Sequence, residues 1–103
     1  RVNLHFLSYW DTLTADDARE LLQGGSRVPE DLPGHAQEFE TAIALAAFPE
    51  NVRPNIDQPD PKPSYATAAT GQAFLDRVVE RVTGYLEQRL SGERSAPRPE
   101  YYP

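Results

Sequence analysis

Two glutamates and a histidine open an otherwise apolar segment in the middle of the chain. In GHAQEFETAIALAAFPENV, residues 34–52, His35, Glu38 and Glu40 precede an unbroken apolar run over 42–48. Such a run is typical of a buried helix. Burying a carboxylate costs several kcal/mol unless the group is paired or bound to a metal ion. Helical spacing places Glu40 in line with apolar positions 43, 44 and 47, so we expect it to face whatever those residues face.

Two interpretations of these residues stay open. In the first, Glu38 and Glu40 are first-turn acids that complement the helix dipole, and His35 is an exposed loop residue. In the second, His35 and Glu40 converge on a substrate or a metal ion. The chain's other histidine, His5, lies in a predicted strand and is more typical of a structural residue.

Composition narrows the class of protein. The 103 residues allow one domain, and 16 acidic against 10 basic side chains give a formal net charge of −6. That balance argues against binding to nucleic acid or to an anionic membrane surface. The absence of cysteine excludes disulfides, thiolate nucleophiles and cysteine-ligated zinc. With no apolar window of membrane length and no secretory signal pattern, we predict a soluble, cytoplasmic protein with a small or neutral partner.

Proline, glycine and apolar residues together predict a short strand, three helices and a proline-rich connection. The elements are a buried strand over Val2–Tyr9, a helix capped by Thr14 and running to Gln23, a helix from about His35 to about Ala47, an extended stretch over 53–65, a helix over Thr67–Leu90 and a loose tail over 91–103. Asp17 completes a capping box with Thr14, and Pro49 fits the first turn of a short continuation. A strand followed by helices predicts the α/β class, with the strand in a mostly parallel sheet.

The last predicted helix has one apolar stripe at three- and four-residue spacing. Its members are Leu75, Val78, Val79, Val82, Leu86 and Leu90. Charged residues, among them Arg77 and Arg81, occupy the opposite face and are predicted to be solvated. We interpret the stripe as ordinary core packing.

Three segments of the chain resemble the creatininase (creatinine amidohydrolase) family. HAQEFETAIALAAFPENV is similar to the family's HAG-x-x-ETS-x-x-LAL-x-P-x-x-V segment. SYWDTL resembles its strand-ending YWD motif, and SYATAATGQAFLDRVVERV resembles its closing A-T-x-x-x-G helix. The resemblance runs from Val2 to about Leu90 and implies a layered α/β fold, of which this chain would hold one or two strands and three helices.

The resemblance also implies a reaction and roles for four residues. Family members hydrolyse amide-type C–N bonds with divalent metal ions, here zinc, manganese or iron and two per site. The histidine that matches His35 works in proton transfer, and the glutamate that matches Glu40 lies at the active site, near or on the second metal. Glu38 and Gln37 are expected to contact substrate. Gln37 stands where the family has glycine, and it either narrows the pocket or faces solvent. Asp31-Leu32 stands where creatininase has Trp-Asp, so creatinine is not the expected substrate.

The family's other metal ligands belong to its amino-terminal half, which this sequence does not contain. Together with Arg1 in place of methionine, this predicts that residues 1–90 are the carboxy-terminal part of the domain and that 91–103 are a flexible tail. A second polypeptide would then supply most metal ligands in an oligomer acting on a cyclic amide, a formamide or a short peptide. The alternative is a non-catalytic assembly subunit, whose interaction surfaces would be the 53–65 stretch and the tail.

Overall fold

A computed structural model describes residues 5–24, 32–54 and 59–92. These residues form three α-helices, which we name α1 (Ala15–Leu21), α2 (Glu38–Ala47) and α3 (Ala68–Leu90). Short 3₁₀ helices cover Tyr9–Thr12, Pro49–Asn51 and Lys62–Tyr65. Residues 2–4 of the predicted strand, most of the predicted 26–34 loop and residues 93–103 of the predicted tail lie outside the described ranges.

The predicted α/β fold is wrong for the described part of the chain, which is helical and contains no strand. Residues 5–8 of the predicted strand have no regular structure, and Phe6 is 85% exposed. The next residues turn into the 3₁₀ helix because the Ser8 N–H donates to Asp11 Oδ2 at 2.8 Å and the Thr12 hydroxyl donates to the Tyr9 carbonyl at 2.7 Å. A strand needs a neighbour to pair its backbone groups, and the described residues offer none. The one or two strands of a layered creatininase-like fold are therefore not seen.

Helix α1 begins at the predicted capping box. The Thr14 N–H donates to Asp17 Oδ2 at 2.7 Å, and the Asp17 N–H donates to the Thr14 hydroxyl at 3.3 Å. The helix ends at Leu21, two residues earlier than predicted, and Gly24 follows with a left-handed φ of 113°.

Helix α2 begins three residues later than predicted and ends at the predicted residue. Gly34 and Ala36 have φ values of 68° and 51°, which a right-handed helix does not admit, so the helix starts only after Gln37. The predicted continuation at Pro49 is confirmed as a 3₁₀ turn.

Helices α2 and α3 pack against each other and form most of the core. Phe39 and Phe74 are both fully buried and meet edge to face, with ring centroids 4.8 Å apart. The predicted start of α3 is confirmed, because the Thr67 hydroxyl accepts a hydrogen bond from the Thr70 N–H at 3.1 Å.

The predicted core role of the α3 stripe holds for only half of its length. Val78 is buried, and Leu75 and Val82 are partly buried against the core. Val79 and Leu86 are more than half exposed, and Leu90 is 88% exposed. The far half of α3 therefore contributes little to the core of the described residues. No helix in the described ranges is long and apolar enough to cross a membrane, and the cytoplasmic location stays a prediction.

Arg77 and Arg81 were predicted to be solvated, and this is wrong because both contact the buried Asp17. Arg77 Nη1 lies 2.8 Å from Asp17 Oδ1, and Arg81 Nη2 lies 2.7 Å from the same oxygen. Asp17 is only 2% exposed. Burial acts to raise the pKa of Asp17, but hydrogen bonds from Arg81, the Thr14 backbone and Arg77 outweigh it and hold that pKa well below its usual range. This cluster fastens α1 to α3.

Candidate functional site

A cavity of about 690 Å³ lies beside the first turn of α2. Its walls come from the 3₁₀ helix at Tyr9, the loop before α2, the exposed side of α2, and the segments around 51–53 and 60–63. The lining residues are Tyr9, His35, Ala36, Glu40, Thr41, Ile43, Ala44, Phe48, Asn51, Val52, Arg53, Asp60 and Pro63. Its volume is in the range of small-molecule sites, and its lining combines apolar side chains with a few polar groups.

His35 and Glu40, the two residues predicted to be catalytic, both line this cavity. His35 is exposed on the loop before α2, and Glu40 is half-buried in the helix's first turn. Glu40 Oε2 accepts a hydrogen bond from the Ala36 N–H at 2.7 Å. Glu40 therefore stabilises the start of α2 and faces the cavity as well, so it combines features of both interpretations.

Glu38 does not line the cavity. Its side chain is fully buried and accepts a hydrogen bond from the Gln23 N–H, which lies just beyond α1. The carboxylate thus satisfies a backbone donor and links the end of α1 to the start of α2. A substrate contact by Glu38 stays a prediction.

Gln37 does not line the cavity but is hydrogen-bonded to Asp60, which does. Its Nε2 donates to Asp60 Oδ2 at 3.3 Å, and Asp60 Oδ1 accepts from the Lys62 N–H at 3.0 Å. Asp60 lines the cavity and Gln37 does not. Gln37 therefore positions the 60–63 wall, and a direct substrate contact by Gln37 stays a prediction.

Tyr9 belongs to the cavity and was not among the predicted site residues. Its ring stacks on Phe39, with centroids 6.2 Å apart and planes 19° apart, and Trp10 packs edge-on against it. Burial and the negative charge of Glu40 raise the pKa of the Tyr9 phenol, so the hydroxyl keeps its proton at neutral pH and above. The motif SYWDTL contains Tyr9. Because the sequence predicted that Tyr9 ends a strand, its contact with α2 was not expected.

The described residues do not by themselves fit a catalytic divalent metal ion. No three histidine, aspartate or glutamate side chains among them lie close enough to hold one, whereas catalytic sites use about three protein ligands. His5, the other histidine, is hydrogen-bonded to the Tyr85 hydroxyl at 2.7 Å and is not part of the cavity. The predicted metal ligation by Glu40 therefore needs ligands from outside the described residues.

Comparison with known proteins found no matching family model, no matching curated protein and no matching solved structure.

Proposed function

We propose that this chain supplies part of the active site of an amidohydrolase, a hydrolase of amide-type C–N bonds, and that a second polypeptide completes the site. The observation that carries the proposal is that His35, Glu40 and Tyr9 line one cavity. An imidazole, a carboxylate and a protonated phenol can transfer protons and stabilise charge on oxygen in amide hydrolysis. The resemblance of residues 35–52 to the creatininase segment supports the same assignment.

In this reaction water adds its oxygen to the amide carbonyl carbon, the C–N bond breaks, and the departing nitrogen takes up a proton. His35 is the proton donor to that nitrogen, because a positioned imidazole can carry a proton to a leaving group. The products are a carboxylic acid and an amine, so the atoms balance with water as the sole co-reactant.

Tyr9 and Glu40 support the same step in different ways, Tyr9 as a neutral hydrogen-bond donor and Glu40 as a carboxylate. The Tyr9 hydroxyl donates a hydrogen bond to the carbonyl oxygen as negative charge develops on it. Glu40, held by the Ala36 N–H, orients the attacking water or the imidazole. The resemblance also implies two divalent metal ions, for which ligands would have to come from outside the described residues.

A second candidate function is that of a non-catalytic assembly subunit. The exposed apolar side chains on the far half of α3 favour it, because Val79, Leu86 and Leu90 lie along one side of a single helix. Both functions need a second polypeptide, so the presence of a partner does not separate them. Turnover does.

The deciding experiment measures amide hydrolysis by the full chain in its native assembly, with intact mass and metal content determined on the same preparation. His35→Ala is expected to lower turnover roughly 10²–10⁴-fold. His5→Ala is the matched control, since the other histidine lies outside the cavity, and it should leave turnover unchanged. Hydrolysis that is equal in both variants would remove His35 from the mechanism and leave the assembly role.

A further inference from the structure

Arg53 is the one arginine or lysine among the described residues that line the cavity. It follows the 3₁₀ helix Pro49–Asn51 and is exposed to solvent, and it lines the same space as His35 and Glu40. A guanidinium keeps its positive charge at every physiological pH and presents several N–H donors in one plane. The cavity therefore has a fixed cation beside its candidate catalytic groups.

The other arginines in the described ranges contact side chains of the same chain. Arg19 pairs with Asp16 at 2.7 Å, Arg77 and Arg81 bind Asp17, and Arg89 lies over the Tyr85 ring. Arg53 makes no hydrogen bond or ion pair with the described residues. In a chain with a net charge of −6, an arginine that lines a cavity and has no acidic partner within the described ranges is a distinctive feature.

The two carboxylates of the cavity are engaged by other donors. Glu40 accepts from the Ala36 N–H, and Asp60 accepts from Gln37 Nε2 and from the Lys62 N–H. These bonds fix Glu40 and Asp60 within their own segments. Neither carboxylate is bonded to Arg53 among the described residues, so within them its guanidinium has donors to offer to an anion that enters the cavity.

We infer that Arg53 binds a carboxylate of the substrate, so that the site takes an amide with a free carboxylate: an N-acyl amino acid or the carboxy-terminal end of a short peptide. The inference rests on the proposed function and deepens it. Arginine and carboxylate form paired, charge-assisted hydrogen bonds. The apolar lining residues Ile43, Ala44 and Val52 give an aliphatic side chain a surface to contact. A formamide or a neutral cyclic amide has no group that would use the cation.

The charge of the whole chain strengthens this assignment. A protein with a net charge of −6 repels an anionic substrate at long range. Arg53, which lines the cavity, supplies a local cation that opposes this repulsion. Removing its charge should therefore affect anionic substrates selectively.

The test compares two probes that differ only in the carboxylate. These are N-acetyl-leucine and N-(3-methylbutyl)acetamide, which is the same molecule with hydrogen in place of the carboxylate. In the native assembly, Arg53→Gln is expected to raise KM for N-acetyl-leucine roughly 10–100-fold and to leave kcat nearly unchanged, the scale of a lost hydrogen bond to a charged group. KM for the neutral amide should not change. Arg53→Lys should restore part of the affinity, and Arg19→Gln, outside the cavity, is the control.

A binding measurement separates this inference from the proposed function. The dissociation constant of N-acetyl-leucine is measured by calorimetry on the same assembly and needs no turnover. If neither amide is hydrolysed but N-acetyl-leucine binds and Arg53→Gln weakens that binding, the proposed function fails and the carboxylate site stands. If Arg53→Gln and Arg19→Gln bind the probe equally, or if the unmodified protein does not bind it, the inference is overturned.

Discussion

Gly71 of α3 lies directly against the backbone of Ala42 in α2, so that a Cβ atom at position 71 would overlap the Ala42 carbonyl oxygen. Both residues are buried at the point where the two helices pack. Only a residue without a side chain allows the helix axes to come this close. The Phe39–Phe74 contact, and with it the wall of the cavity formed by α2, depends on that approach.

Gly71→Ala should therefore destabilise the protein by about 3 kcal/mol or more, since the overlap is with backbone and cannot be relieved by a rotamer change. Gly84→Ala is the matched control in the same helix, because nothing lies within 4 Å of a Cβ built there. That change should stabilise by roughly 0.5–1 kcal/mol, the ordinary gain of alanine over glycine in a helix. Urea unfolding of both variants measures the difference. Equal stability would mean that α2 and α3 do not pack in this way.

Asp17 should be the most sensitive charged residue of the fold. Asp17→Asn leaves Arg77 and Arg81 beside a neutral group and removes a buried ion pair, a change that typically costs about 3–5 kcal/mol. Asp16→Asn, at an exposed pair with Arg19, should cost less than about 1 kcal/mol. Thermal unfolding of the two variants gives the comparison. A small and equal effect would show that Asp17 does not hold α1 to α3.

Because of Asp17, the free energy of unfolding should also depend on pH in the acid range. The pKa of Asp17 is lower in the folded state than in the unfolded chain, so the unfolded state takes up a proton first as pH falls. The contribution of Asp17 to the free energy of unfolding is complete above about pH 3.9, the pKa of an aspartate in an unfolded chain. It is lost progressively below that pH. The free energy of unfolding should therefore fall below about pH 4. Asp17→Asn should flatten this dependence, and urea unfolding between neutral and acidic pH measures the slope in both proteins.

Several features of the fold could be predicted from sequence because their signals are local. The capping box of Thr14 and Asp17 marks the start of α1, the apolar period marks α3, and Pro49 marks the turn after α2. Each depends on residues within about one helical turn of each other. Such signals do not require knowledge of the rest of the chain.

Other features depend on partners far along the chain, and sequence reasoning missed them. Residues 5–8 have the composition of a strand, but composition does not supply the neighbouring strand that pairing requires. Arg77 and Arg81 look solvated in a helical pattern, and only the fold brings Asp17, 60 and 64 residues away, against them. The candidate site divides in the same way: His35 and Glu40 are five residues apart and could be predicted, whereas Tyr9 and Arg53 reach the cavity only through tertiary packing.

Tyr9→Phe tests the assignment of the phenol without disturbing its packing. Phenylalanine keeps the stack on Phe39 and removes only the hydroxyl. In the native assembly kcat for amide hydrolysis should fall roughly 10²–10³-fold, the scale for losing one donor to a developing oxyanion, while unfolding stability changes little. Tyr65→Phe, at an exposed tyrosine that does not line the cavity, is the control. If Tyr9→Phe leaves kcat unchanged, the phenol is only a packing residue.

Glu38→Gln and Glu40→Gln should separate structure from function within the first turn of one helix. Glu38 is fully buried and bonded to the Gln23 N–H, so its change should lower stability by about 1–3 kcal/mol, the cost of weakening a buried charged hydrogen bond. Glu40 is half-buried, and a glutamine oxygen can still accept from the Ala36 N–H, so its change should cost under about 1 kcal/mol. Activity should respond in the opposite order, because Glu40 lines the cavity and Glu38 does not.

The same pair tests the metal ligation that the resemblance implies for Glu40. A lost carboxylate in or next to a metal site lowers metal affinity by roughly 10–100-fold. Metal titration of the complete assembly, with zinc and with manganese, should therefore show weaker binding for Glu40→Gln than for Glu38→Gln. Equal metal affinity in the two variants would remove Glu40 from any metal site. If activity were equal in the two variants as well, Glu40 would be left with its hydrogen bond to Ala36 at the start of α2 as its sole role.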